Sequence, residues 1–422
     1  MRIVNAIIIF ILLLALSLNA CSDSEQESPE ISVTGNPVIE EKEPMIITIG
    51  NLTDLTGVSS SAMSIINKAL DDVVRYYNEE NLIPGVKLEV TSFDGQYDSA
   101  LYITGYESLK RKGADLIWAP LPISVSSLKT VVDEDQFMLF TATGTMDDLM
   151  PPGYAFSLGI MPQFEAYTLL KWIAENDPDF PAGRPAKIGG AAWADAYSDV
   201  FLNAMEAYAT AYPQQYDYVG GYLTNFAFSW TTQVEDLKDC DYIYIPTPPQ
   251  AFVEQYRDAG GTATFLASDV QSALLGMMDS ADFWNKIDGT YFIRSSRWYN
   301  ETGQLIDMTN ELLDRYRPEE AHDIKRNGCG YIGAKHVYLM CDIIKEAVET
   351  VGPESFDTQA LYDAAATWTY IYEDISDFNN FSSEKRYASN YYAVYEARAC
   401  ETPDDSDLFR AHDDWLPQVM EP

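Results

Sequence analysis

Met45-Ile-Ile-Thr-Ile-Gly50 is a short β-branched run, and Ala62, Ile65, Ile66, Ala69, Leu70, Val73, Val74 and Tyr77 follow it at spacings of three and four. The run predicts a strand. The spacing predicts a helix with one apolar stripe, with Ser59, Ser60 and Ser61 as cap candidates and Pro84-Gly85 as its end. Val86, Leu88 and Val90 then alternate with Lys87, Glu89 and Thr91, a second strand. Leu101 to Leu109 reads as a second helix, stopped at Lys112-Gly113, and Ala114 to Ala119 as a third strand. Strand, helix, strand, helix, strand requires parallel strands joined by crossovers, and hence a sheet covered on both faces.

The same rhythm restarts after Pro162. Lys187–Ala192, Tyr216–Leu223, Asp241–Pro246 and Thr262–Ala267 are strand candidates, with helices at Asp199–Ala211, Ala251–Ala259 and Val270–Met278. A second parallel sheet is therefore expected. Tyr331–Val348 gives a long amphipathic helix, and Asn390–Ala397 a late aromatic strand. The fold class is α/β, with two doubly wound parallel-sheet lobes.

The N-terminus opens with one basic residue, Arg2, and an apolar stretch from Ile3 to Leu18, then ends Leu18-Asn19-Ala20-Cys21. This reads as a secretory signal of residues 1–20. Its ending resembles the lipobox of bacterial lipoproteins, which implies that Cys21 carries a lipid anchor on the outer side of a membrane. Residues 21–44 are polar and acidic, with three prolines, and should act as a flexible tether. No second apolar run is long enough to cross a membrane.

Sixty-five acidic residues against 27 basic ones give a formal charge of -38. Such a surface repels phosphate backbones and anionic headgroups, so nucleic-acid and peripheral lipid binding are excluded. Acidic runs such as Asp133-Glu134-Asp135 and Asp404-Asp405 read as solvated faces. Besides Cys21 there are Cys240, Cys329, Cys341 and Cys400, an even number that allows a disulfide in an exported protein. None stands in CxxC spacing, and His322, His336 and His412 lie far apart, so no metal site is expected. Gly328-Cys-Gly-Tyr-Ile-Gly333 matches the dinucleotide pattern in letters only. Charged, helix-like residues precede it where the pattern needs a strand, and its glycines are expected to serve close packing where a helix begins. No GxSxG, HExxH or GxxxxGK[ST] occurs. The chain is read as a binding protein without a cofactor, not an enzyme; a ligand-sensing domain for a signalling partner and a secreted hydrolase are the alternatives.

Polar, hydroxyl-rich loops recur where strands end and helices begin: Thr53–Ser61, Pro120–Ser127 and Thr141–Thr145. In open α/β sheets, ligands lie outside the carboxyl ends of the strands. With these loops in place the chain resembles the branched-chain amino acid and amide group of type I periplasmic binding proteins. The similarity rests on Ile49-Gly50 through Leu55-Thr56-Gly57, Thr141-Ala-Thr143-Gly-Thr145, Trp193-Ala-Asp195-Ala-Tyr197-Ser198 and Phe265-Leu-Ala-Ser268-Asp269. It runs over most of Met45 to Ala399.

The resemblance implies a small amino-acid-like or amide solute held between lobes joined by hinge strands, and delivery to the permease subunits of an ABC importer. It implies Ser124 or Ser126, Thr143 and Thr145 for a carboxylate, Asp269 for an ammonium group, and Tyr197 closing from the second lobe. It also implies lobes of residues 45–159 with 298–368 and 160–297 with 369–402, followed by a tail of 403–422. Ser198 stands where the family usually has glycine, Asp269 is one methylene shorter than the common glutamate, and Pro246-Thr-Pro-Pro249 is stiff where tyrosine is frequent.

Overall fold

A computed structural model describes residues 43–399 and 408–422; the signal segment, Cys21 and nearly all of the tether lie outside the described residues. Five parallel strands form the first sheet: β1 (Met45–Thr53), β2 (Val86–Asp94), β3 (Leu116–Trp118), β4 (Leu139–Thr143) and β5 (Ala155–Ile160), in the order β2-β1-β3-β4-β5. The second sheet begins with β6 (Ala186–Trp193), β7 (Tyr216–Thr224), β8 (Tyr242–Tyr244), β9 (Thr264–Ala267) and β10 (Tyr291–Arg294), and repeats that order as β7-β6-β8-β9-β10. A hairpin of β11 (Thr369–Tyr372) and β12 (Ile375–Asn380) follows, then β13 (Tyr391–Ala397), β14 (Leu408–Arg410) and β15 (Leu416–Pro417).

Burial explains why each strand takes its place. In the central β3, Leu116, Ile117 and Trp118 are all inaccessible, so both faces of the sheet are covered. On the edge strand β2, Val86 and Leu88 are buried while Lys87 and Glu89 keep access to water, the alternation visible in the sequence. The edge strand β7 alternates in the same way.

The second sheet is not wholly parallel. β13 runs antiparallel to β10, with Phe292 opposite Tyr395, and both β14 and β15 pair antiparallel with β13. An antiparallel strand at the edge of a parallel sheet is a common end to a doubly wound fold. The expected helix of Val270–Met278 is instead two short helices, Asp269–Ser272 and Leu275–Ser280. Ser268 caps the first in a capping box with Gln271, and Asp269 is its first residue.

The chain passes from the first sheet to the second between Ile160 and Ala186, leaves it after Arg294, and rejoins it at Tyr391. In the last passage the Ser157 amide of β5 donates to the Arg386 carbonyl and the Ser157 carbonyl accepts from the Ala388 amide, both at 2.8 Å. The helix Cys329–Val351 packs on Ser60–Glu79. A Cβ on Gly328 would come within 2.3 Å of the Ser272 carbonyl oxygen, and one on Gly333 would touch Ile66 and Ala69, so these glycines serve close packing. Cys240 and Cys341 are buried free thiols; Cys400 and the side chain of Cys329 lie outside the described residues. Among the described residues no helix is long and apolar enough to cross a membrane, and no cluster of potential metal ligands occurs.

Candidate functional site

Strand order places the site. In each sheet the chain order reverses beside the first strand, at β1/β3 and at β6/β8, so that loops leaving these carboxyl ends diverge and open a crevice. A cavity of ≈ 410 Å³ is built from these loops. The first sheet contributes Val58, Ser59, Ser61 and Ala62 after β1, Pro120 to Ile123 after β3, and Thr143 and Ile160 at the ends of β4 and β5. The second contributes Trp193 to Tyr197 after β6, Thr247-Pro248 after β8 and Asp269-Val270 after β9. Both sheets thus present the same edge to one space.

Of the residues expected to bind solute, Ser126, Thr143, Tyr197 and Asp269 line this cavity and Ser124 and Thr145 do not. Ser124 is wholly buried in the helix Ile123–Glu134. Thr145 is the cap of the helix Met146–Leu149, its Oγ1 accepting from the Asp148 amide at 3.1 Å.

Asp269 is almost wholly buried and its carboxylate is engaged on both oxygens. Oδ1 faces Arg294 Nε at 3.3 Å, and Oδ2 accepts from the Ser295 amide at 2.9 Å and the Ser295 hydroxyl at 2.7 Å. Asp195 caps the helix Ala196–Ala211 through bonds from the Ser198 amide and hydroxyl, both at 2.9 Å, and burial raises its pKa. Tyr197 donates to Glu165, whose own carboxyl burial and the nearby Asp269 charge push well above the usual range. Lys335 of the helix Cys329–Val351, itself buried, donates to the Ser295 carbonyl at 2.6 Å, and burial lowers it to about 8 against the opposing pull of Asp269.

The loops announced most of this wall, but not its far side. Tyr97, Phe226, Ile332 and His336 also line the cavity. His336 comes from the helix Cys329–Val351, and the one signal for it was a histidine interrupting the apolar stripe of that helix.

A family model described as periplasmic binding protein matches residues 46–402. The chain belongs to this family. Among solved structures it is similar to a valine-bound branched-chain amino acid ABC transporter protein from Thermus thermophilus, at 15% identity and a TM-score of 0.75, over 90% of this chain and 98% of that one. A fatty acid ABC transporter substrate-binding protein from Thermomonospora curvata matches at 15% identity and 0.73, over 90% and 93%. A solute-binding protein from Rhodopseudomonas palustris BisB5, in complex with 3,4-dihydroxybenzoic acid, matches at 12% identity and 0.70, over 89% and 99%. At such identities the likeness establishes the two-lobed fold. No curated protein matches.

Proposed function

We propose that the protein is the extracytoplasmic solute-binding lipoprotein of an ABC importer, anchored through Cys21, which holds one small solute between its lobes and presents it to permease subunits. The observation that carries this reading is the cavity itself: strand-end loops of both sheets converge on one largely apolar space. Family membership and similarity to transporter proteins with bound valine and bound dihydroxybenzoic acid support it. Closure would follow from solute contacts made to both sheets at once, since a ligand shifts an equilibrium only by its differential affinity for the two states.

For an amino-acid-like or amide solute, Ser126, Thr143, Tyr197 and Asp269 are the proposed contacts, with Ser124 and Thr145 shaping the loops behind them. The engagement of Asp269 by Arg294 and Ser295 favours the amide over the amino acid. Native mass spectrometry of protein purified from its own cells should show one bound small molecule. Ala273→Trp, which places an indole on the cavity wall, should abolish that adduct; an adduct that persists in the variant refutes this site.

A further inference from the structure

His336 is 1% exposed, lines the cavity, and has no hydrogen-bond partner among the described residues at either Nδ1 or Nε2. Its ring lies over Gly159 of β5, where a Cβ would come within 2.5 Å of Nε2, and is tilted against Trp118 with centroids 6.4 Å apart. The ring is thus packed in place while its polar edge goes unused. A buried polar group without a partner costs free energy that a bound solute can recover by supplying one. Burial and the adjacent positive charge of Lys335 hold the imidazole neutral, with its pKa lowered to about 3. It therefore offers one N–H donor and one acceptor nitrogen, and no charge.

Several other polar groups of the wall already hold bonds within the protein. Thr143 Oγ1 donates to the Ile160 carbonyl at 3.0 Å and Ser126 Oγ to the Ile123 carbonyl at 3.1 Å. The two acids, Asp195 and Asp269, serve a helix cap and an ion pair. No lysine or arginine is among the described lining residues, and Val58, Met63, Leu121, Trp193 and Leu274 make much of the surface apolar. A carboxylate head would gain most from a charged donor, which the described wall does not present, and an ammonium head would have to draw on Asp195, whose two oxygens already accept the cap bonds from Ser198.

We propose that His336 is the residue that reads the solute, and that the solute has an apolar body ending in an uncharged amide or carbonyl head hydrogen-bonded to this imidazole. This rests on the cavity being the solute site. The test uses three probes with one body and three heads: 3-phenylpropanamide, 3-phenylpropanoate and phenylalanine, each titrated calorimetrically into the intact, solute-stripped protein. The amide should bind about tenfold or more tightly than the anion and the zwitterion. His336→Phe should weaken the amide by about tenfold or more, and His336→Asn, which keeps a donor and an acceptor, should retain most of the affinity.

Tighter binding of the anion or the zwitterion overturns the proposal, as does amide affinity unchanged in both variants. Binding of none of the three, with a co-purified solute still expelled by Ala273→Trp, overturns the solute class and leaves the site reading intact. A solute indifferent to Ala273→Trp overturns the site reading itself.

Discussion

Asp269→Ala separates two roles for one carboxylate. As an ammonium acceptor, Asp269 would be dispensable to the empty protein and costly to lose only in binding. The structure gives it a different load: with Arg294 it forms an ion pair in which the two side chains are 2% and 0% exposed, and it also accepts two bonds from Ser295. Removing one partner of a buried pair typically costs ~3–5 kcal/mol, because the remaining ion has been desolvated without its counter-charge. The Arg294 guanidinium also stands 5.0 Å from the Trp298 ring and 5.3 Å from that of Tyr395, which retains part of its stabilisation and favours the lower end, about 3 kcal/mol. Urea unfolding of the empty protein should therefore shift to a lower midpoint. Asp269→Ala combined with Arg294→Met should recover much of that loss, since an apolar replacement of both partners is often neutral. An unchanged midpoint for Asp269→Ala together with a large loss of solute affinity would refute this account and return the carboxylate to the solute.

His336→Phe should change how stability depends on pH. The folded pKa of about 3 lies below the ordinary value near 6.5, so between them the unfolded chain binds the proton and the parent loses about 1.4 kcal/mol for each pH unit of acidification, a slope absent from the variant. Buried acids such as Glu165 and Asp195 act in the opposite direction but are common to both proteins, so the difference between their melting temperatures at pH 7 and pH 4.5 isolates the imidazole; an equal drop in both contradicts the assignment. Gly328→Ala places a Cβ 2.3 Å from the Ser272 carbonyl oxygen and should cost ~1–3 kcal/mol in thermal melts, whereas an unaltered melt removes the close-packing role of that glycine. Cys21→Ser should move the protein from the membrane to the soluble fraction, and an uncut, membrane-bound form would point to a spanning helix instead.

The parts of the fold legible in the sequence are those in which local pattern and tertiary position coincide. Residues 45–119 revealed the strand and helix order because the edge strand β2 alternates, the central β3 is continuously apolar, and the intervening helix carries one stripe. The antiparallel β13 was visible as a strand but not in its direction, which is set by the chain returning to the second sheet from the first. Leu408 and Trp415 fold the final residues back, the indole packing on Phe378 with centroids 4.8 Å apart, where the sequence suggested only a tail.

The site divides along the same line. Loops at strand ends were legible because parallel strands bring their carboxyl ends together whatever the intervening helices contain. His336 was not, because a polar residue within an apolar helical stripe carries no mark of what it faces. The partner of Asp269 follows from register. Ala267 of β9 pairs with Phe292 of β10, so Asp269 and Arg294, each two residues further along parallel neighbours, leave the sheet at the same level. An acid and a base at equal offsets beyond paired strands meet each other before either meets a solute. Asp195 stands two residues beyond Trp193, which pairs with Thr224 of β7, and the matching position there is Phe226. With no base at that level, Asp195 turns to the amide and hydroxyl of Ser198, and the cavity wall beside it is closed by an aromatic ring instead of a charge.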